Sequence, residues 1–344
     1  MVSKESYALQ AGERILVTGA NGFIGSNIIE VLLSLGYFVR GTVRSEKPWL
    51  NEVLEAKYGA GHFESVNVPK LDNKEALRAV MNGVSGVIHV ASDVSFSTNA
   101  GEVINTVVAA MEAVLEAASN VPSVKRVVLT SSSVAAIYPY KGEGSVALNQ
   151  DSWNDTSTQA AWDESTPPET KPIHVYAASK AEGERAAFNW VKKNNPGFTF
   201  NSVLPDYTIG QLLHPSSSGS TTAMTLNLLE GDDIAFRFCV SQYLIDVKDL
   251  ARLHAIALLD SSVKSERLFG CALPLIWKEV VDTLRELRPA SEKLFKDEDV
   301  PAREGLITIV PPNRSLELLK SFFGQDGWTG LRESLVDGLT SLGK

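Results

Sequence analysis

The segment Tyr176-Ala-Ala-Ser-Lys180 sets a phenol and an ammonium four residues apart in a stretch of helical character, VYAASKAEGERAAFNW. Residues i and i+4 share a helix face, so the two side chains project to the same side. A phenol alone is a poor acid at neutral pH, because its ordinary pKa is about 10. A neighbouring ammonium favours the phenolate, which makes Tyr176 a candidate proton donor and Lys180 its electrostatic partner. Such pairs often arise by chance, so this one needs company. Leu129–Ser133 (LTSSS) supplies it, at the carboxyl end of a predicted parallel strand, where open α/β sheets bind ligands. A hydroxyl there, Ser132 for preference, would hydrogen-bond a substrate carbonyl beside Tyr176. In isolation the same serines would read as a polar strand-end turn.

Near the N-terminus, RILVTGANGFIG passes from an apolar strand through Gly19, Gly22 and Gly25 into a helical pattern. The first glycine would allow a tight turn, the second a close approach of backbone to a pyrophosphate, and the third close packing of helix on strand. The phosphates would lie on the helix N-terminus, where unpaired N–H groups favour negative charge. The next strand, FVRGTVRSEK, ends at Arg44, with no acid before Glu46. Chains that bind NAD carry Asp or Glu near there, about 20 residues past the turn. A guanidinium would instead stack on adenine and pair with a 2′-phosphate, and Lys47 would add a second charge. The expected cofactor is therefore NADPH, with Lys180 also reaching its nicotinamide ribose.

These groups need a frame. Arg14–Thr18, Phe38–Val43, His62–Val66, Gly86–Val90, Lys125–Thr130 and Thr199–Leu204 are short apolar runs suited to strands buried on both faces. Amphipathic stretches at Gly22–Leu35, Glu46–Tyr58, Asn73–Met81, Glu102–Ala118 and Val175–Asn194 alternate with them. That rhythm predicts an α/β fold, a Rossmann-type doubly wound parallel sheet. About 44 residues between Thr130 and Val175 form a loop long enough to be functional. After Leu204 the alternation weakens. Helical patterns at Thr222–Leu229, Val247–Leu259, Trp277–Leu287 and Ser315–Phe322 predict a smaller, mostly helical C-terminal lobe. The expected division is a cofactor-binding domain over 1–204 and a mainly substrate-binding lobe over 205–344, interleaved with the first.

Composition narrows the field. The chain has 344 residues, 44% hydrophobic and 21% charged, enough for a large core and too ordinary for disorder. A net charge of -9 argues against a nucleic-acid partner. No apolar run is long enough to span a membrane, and the N-terminal MVSKESYALQAGER is too polar for a signal peptide, so a soluble, cytoplasmic protein is expected. Cys239 and Cys271 sit in apolar surroundings without a CxxC spacing and read as reduced thiols. His89, His174 and His254 are scattered and read as structural, with no metal site.

TGANGFIG, HVAS, LTSSS and YAASK, in this order, resemble the extended short-chain dehydrogenase/reductases. The likeness runs from about Gly12 to about Leu339. It is closest to the branch with dihydroflavonol reductases, cinnamoyl-CoA reductases and the NADPH-dependent fungal and yeast aldehyde (carbonyl) reductases. VRGTVR, SVKRVVLTSSS, VYAASK, VLPDYTIG and SLELLKSFFGQDGW are similar to the last group. The resemblance implies a catalytic triad of Ser132, Tyr176 and Lys180. It implies a pyrophosphate turn of Gly19, Asn21, Gly22, Phe23, Ile24 and Gly25, and a 2′-phosphate contact at Arg44. It also implies Ala91 and Ser92 near the cofactor ribose and Pro205 against the nicotinamide, with Val68 and Thr130 among the cofactor contacts. Asn67 stands where many relatives have an Asp that accepts from adenine, and an amide oxygen accepts the same bond. Asn105 is a candidate for the Asn of an NVxGT pattern that this chain does not clearly keep.

Val94, Phe96, Tyr207, Gln242 and Tyr243, with Trp162 and Phe238, are candidates for an apolar substrate wall, although ordinary core packing accounts for any one aromatic. No cationic cluster outside the cofactor region is suited to a carboxylate. The expected activity is NADPH-dependent reduction of a small neutral aldehyde, ketone or keto ester, by a monomer or homodimer. The alternatives are other chemistry of the extended family, such as a steroid dehydrogenase or sugar-nucleotide epimerase, and a non-catalytic NADP sensor.

Overall fold

The computed structural model describes residues 7–138, 145–217, 221–238, 243–303, 306–310 and 313–343. In chain order the elements are β1 (Arg14–Thr18), α1 (Phe23–Ser34), β2 (Phe38–Val43), α2 (Pro48–Tyr58), β3 (Phe63–Asn67), α3 (Lys74–Val80), β4 (Gly86–His89), α4 (Ala100–Ser119) and β5 (Arg126–Thr130). They continue with β6 (Ser145–Leu148), α5 (Asp155–Trp162), α6 (Lys171–Asn194), β7 (Thr199–Pro205), β8 (Tyr207–Ile209), α7 (Thr221–Leu226), α8 (Ile234–Phe238), β9 (Tyr243–Asp246) and α9 (Val247–Leu259). The last are β10 (Arg267–Gly270), β11 (Leu273–Pro274), α10 (Trp277–Leu287), β12 (Leu306–Ile309), α11 (Arg314–Phe323) and α12 (Leu331–Ser341).

Seven strands form one parallel sheet in the order β3-β2-β1-β4-β5-β7-β10. The order turns back between β1 and β4, which opens a crevice at their carboxyl ends. Continuous runs such as ILV in β1 and VVL in β5 suit strands covered on both faces, and these residues are buried. On one face α1, α2, α9 and α11 close a core around Ile28, Leu32, Leu50, Leu258 and Leu319. On the other, α3, α4 and α6 close a second around Val87, Val114, Val127 and Phe200. This is the Rossmann-type α/β fold that the alternation predicts.

The chain beyond Leu204 does not stay apart from the sheet. Val247–Leu259, grouped by its pattern with the C-terminal lobe, is α9 and packs beside α1 on the sheet. Covered by strands and by α11, it is buried nearly all round, Asp249 and His254 included, and only Lys248 and Arg252 keep partial exposure. β10 is a seventh strand that the alternation did not disclose, since its four residues begin with the buried Arg267. The rest does form a lobe: β8, β9, α7, α8, α10 and α12 enclose Tyr207, Phe236, Trp277 and Leu284. The long segment before α6 also has structure, because β6 pairs with β12, and α5 is capped by Asn154, whose side chain accepts from Ser157 N at 2.9 Å.

At the buried start of β5, Arg126 donates to the carbonyls of Ala257, Leu258, Asp260 and Val263 at 2.8–3.0 Å, although burial pulls its pKa down to about 10. It thereby neutralises the negative end of α9 and pins that helix to the sheet. Arg126→Met removes all four bonds and should cost on the order of 3 kcal/mol. An unchanged urea midpoint would exclude this role.

Candidate active site

The crevice between β1 and β4 is lined by the glycine turn. Gly19 has φ +68°, and a Cβ there would sit 3.1 Å from the backbone of Ala91. A Cβ on Gly25 would collide with the carbonyl oxygen of Gly19. Gly22 caps α1 with extended backbone and no side-chain bond, so the first-turn N–H groups of Phe23 and Ile24 face the crevice beside Asn21 without a protein cap. On the opposite lip, Ser92 Oγ is buried with no hydrogen-bond partner. A bare helix terminus, an orphaned hydroxyl and a cradle that admits no side chains fit the phosphates and ribose of a dinucleotide.

Thr18 and Thr130, at the ends of β1 and β5, organise the floor. The Thr18 hydroxyl oxygen accepts from Val90 N and Ala91 N at 3.1 and 3.2 Å and donates to His89 Nδ1 at 2.8 Å. Thr130 donates to His254 Nε2 at 2.8 Å, while His254 Nδ1 donates to Leu250 O. These tautomers follow from the partners. Burial holds both imidazoles near pKa 4, that of His89 helped by the Lys180 charge, so both are neutral. His174 stacks on Tyr138 and bonds Ser157. All three histidines have structural partners, and no metal-binding cluster occurs among the described residues.

Tyr176 and Lys180 lie on α6, which begins at Lys171, a turn earlier than the sequence pattern indicates. Lys180 is 8% exposed, and its Nζ donates to Thr130 O at 3.5 Å and lies 5.9 Å from the centre of the Tyr176 ring. Burial pulls its pKa down to about 8, against the opposing pull of Glu184. Ser132, equally buried, starts a short 3-10 turn over Ser133–Ala135, and its hydroxyl accepts from Val134 N. Phe96 packs on Tyr176 with ring centroids 4.9 Å apart. Its φ of +53° is strained for an aromatic residue. The parallel sheet thus brings the β4, β5 and α6 residues to one mouth.

The remaining candidates divide. Arg44 ends exposed just past β2 and forms no ion pair among the described residues; Lys47, at the start of α2, is likewise unpaired. Asn67 and Val68 lie beside them, because Val43 pairs with Asn67 and Val68 N donates to Val43 O. Pro205 closes β7 next to Gly270. Val94 is 63% exposed at the rim. Trp162 is also exposed, beside the start of α4. Tyr243 is half-buried, with its hydroxyl donating to Ile307 O at 2.5 Å. Tyr207 goes elsewhere: it is 3% exposed, bonded to Thr225 and packed edge-on against Trp277, so it belongs to the lobe's core and not to a substrate wall. Asn105 is exposed on α4. Gln242 and Cys239 lie outside the described residues, as does the Phe238 side chain. Cys271 is a free thiol, raised by burial.

Two features escaped the sequence reading. Glu184 and Arg267 form a buried pair behind the Ser131–Ser132 turn, for which the signal was a carboxylate at eight residues from Tyr176 on the same helix face. Asp206, which falls within VLPDYTIG, receives bonds from Tyr207 N, Tyr243 N and the Ser133 hydroxyl, yet burial pushes its pKa up to about 7. A raised carboxyl favours its protonated form in the fold, so it destabilises increasingly as pH climbs from about 4 to about 7. Asp206→Asn should therefore melt close to the native chain at pH 5 and several degrees above it at pH 8. The other titrating groups are common to both proteins, so a difference that does not grow with pH would contradict this assignment.

The model of the NAD dependent epimerase/dehydratase family matches residues 15–269. A ketoreductase of Penicillium rubens is 44% identical over 98% of this chain and 99% of its own length. Aldehyde reductase 2 of Sporidiobolus salmonicolor is 38% identical over 98% of each chain. The crystal structure of yeast methylglyoxal/isovaleraldehyde reductase complexed with NADPH shares the fold, with a TM-score of 0.78 at 23% identity over 96% of this chain and 98% of that one. With the family model over most of its length and relatives aligned from end to end, this chain belongs to the NAD dependent epimerase/dehydratase family, a group of extended short-chain dehydrogenase/reductases.

Proposed function

We propose that this protein reduces neutral aldehydes, ketones or keto esters to alcohols with NADPH, using Tyr176 as proton donor, Lys180 as its electrostatic partner and Ser132 to polarise the carbonyl. The observation that supports the reading is the placement of Lys180 Nζ 5.9 Å from the Tyr176 ring and 3.5 Å from Thr130 O, two residues before Ser132, in a sheet whose β1 leads into the glycine turn and whose β2 is followed by the unpaired cation Arg44. Two relatives bear the names ketoreductase and aldehyde reductase, which supports the same chemistry.

The residues divide the work. Gly19, Asn21, Gly22, Phe23, Ile24 and Gly25 receive the pyrophosphate. Arg44 and Lys47 meet the 2′-phosphate, and Asn67 and Val68 border the adenine. Ala91, Ser92, Thr130 and Pro205 border the ribose and nicotinamide. Bound there, NADPH supplies the hydride. Ser132 donates a hydrogen bond to the carbonyl oxygen, and Tyr176 gives that oxygen its proton as negative charge develops. Lys180 stabilises the resulting phenolate, which regains a proton from solvent. Phe96, Val94 and Tyr243 form an apolar rim around the carbonyl. Residues 1–204 hold the cofactor and the catalytic groups, while 205–344 mainly enclose substrate, interleaved with the first part through α9 and β10.

The test follows NADPH absorbance with cyclohexanone, ethyl acetoacetate, benzaldehyde and UDP-glucose. Consumption with a ketone, keto ester or aldehyde is expected, and none with any of them would return the protein to a cofactor-binding sensor. Tyr176→Phe should lower kcat at least about a hundredfold while NADPH affinity stays near that of the native chain. Substantial residual turnover would reject the role. The ammonium of Lys180 is lost as pH rises through about 8, so kcat for reduction should decline across that range. Arg44→Asp should raise KM for NADPH far more than for NADH; equal effects would sink the 2′-phosphate assignment.

A further inference from the structure

We propose that Glu184 and Arg267 are positioning residues for the catalytic turn, holding Ser131–Ser132 and the Gln150–Trp153 segment in register with Tyr176 and Lys180. The inference rests on the reductase reading and deepens it. Glu184 lies two turns past Tyr176 and one past Lys180, on the same face of α6, and is fully buried. Its carboxylate accepts from Ser131 Oγ at 2.9 Å, from Ser202 Oγ at 2.5 Å, and from Arg267 Nε and Nη2 at 2.9 and 3.0 Å. The donors come from the end of β5, from β7 and from β10. Ser131 stands between Thr130, whose carbonyl takes Lys180 Nζ, and Ser132. One carboxylate therefore fixes the residue that joins two working groups.

Arg267 carries the constraint outward. Its Nη1 donates to the carbonyls of Gln150 and Ser152 at 2.9 and 2.5 Å, and its guanidinium lies 3.9 Å over the Trp153 ring. The next residue, Asn154, returns to the turn, donating from its side chain to Val134 O at 2.7 Å and from its backbone to Ala135 O at 3.0 Å. Both ends of the turn that contains Ser132 are thus tied to the same ion pair. Apolar residues of similar size often replace a buried ion pair without loss of stability. The bidentate geometry here supplies orientation instead. The titratable groups facing Lys180 are Tyr176 and Glu184 on α6 and the neutral His89 of β4; Arg267 of β10 faces Glu184. Glu184 is the one carboxylate in that group, and it supports the Lys180 charge against burial.

The test uses the full chain with NADPH and ethyl acetoacetate or benzaldehyde, whichever turns over faster. Ser131→Ala, which removes one of the four donors, should lower kcat about tenfold with NADPH affinity unchanged. Glu184→Gln should lower it about a hundredfold, again with NADPH affinity unchanged, and should move the alkaline decline of kcat to lower pH. Combining the two should cost little beyond Glu184→Gln alone, because they act through one network. A Ser131→Ala enzyme with native kcat overturns the proposal whether or not Glu184→Gln folds. So do a folded Glu184→Gln enzyme with native kcat and pH limb, and effects that simply multiply. A native chain that consumes NADPH with no carbonyl fails at the earlier step and overturns both readings.

Discussion

A cation kept out of water sets the terms for the groups around it. Removing an ammonium from solvent costs several kcal/mol unless the interior answers the charge, and Lys180 is almost entirely buried. The fold answers it with the Thr130 carbonyl and with Glu184 one helical turn away. It also removes competitors: His89 is held neutral by burial and by the Lys180 charge itself, and His254, bonded to Thr130, is neutral as well. The outcome is a lysine balanced near pKa 8, charged at neutral pH yet close enough to titration to respond to its surroundings.

The same atoms connect this charge to the glycine turn. Thr18 ends β1, and its oxygen gathers the N–H groups of Val90 and Ala91 while its proton goes to His89. Ala91 in turn packs so closely against Gly19, whose φ is +68°, that a side chain there would be strained and press on the Ala91 backbone. The cradle and the site around Lys180 are therefore two sides of one hydrogen-bonded junction between β1 and β4. Displacing Ala91 would disturb the tautomer of His89 as well as the turn, because protein interiors transmit such shifts instead of absorbing them.

How much of this was legible in the sequence depends on range. Local patterns gave the six main strands, and the helices around Tyr176 and after Gly22, to within a few residues, because the buried parallel sheet writes continuous apolar runs and its helices write one apolar face. The strand Arg267–Gly270 was not legible, since its charged first residue is neutralised by Glu184, which lies far away in the sequence. Val247–Leu259 is the helix that its pattern predicts but lies on the sheet beside α1, because an apolar helix face does not say which layer covers it. Tyr207 and Phe96 show the same limit from both sides. Each was an aromatic near the carboxyl end of a strand, yet one turned into the lobe's core and the other onto Tyr176. Only tertiary packing separates those outcomes.

The strain at Phe96 bears on what the site is built to do. Left-handed backbone at a bulky residue costs about 1–3 kcal/mol and persists only where surrounding structure enforces it. Here the loop between β4 and α4 is held by Asp93, Ser95, Ser97 and Asn99, each accepting from a backbone N–H two or three residues on. That ladder of local bonds turns the Phe96 ring onto Tyr176. On the proposed reading, the ring shields the phenol from water on one side while the glycine cradle brings the cofactor to another. Water around the phenol would screen the attraction between Lys180 and a developing phenolate, and an apolar ring leaves that attraction strong. A strained aromatic beside the proton donor and a buried lysine behind it thus serve one end, since each raises the value of the other.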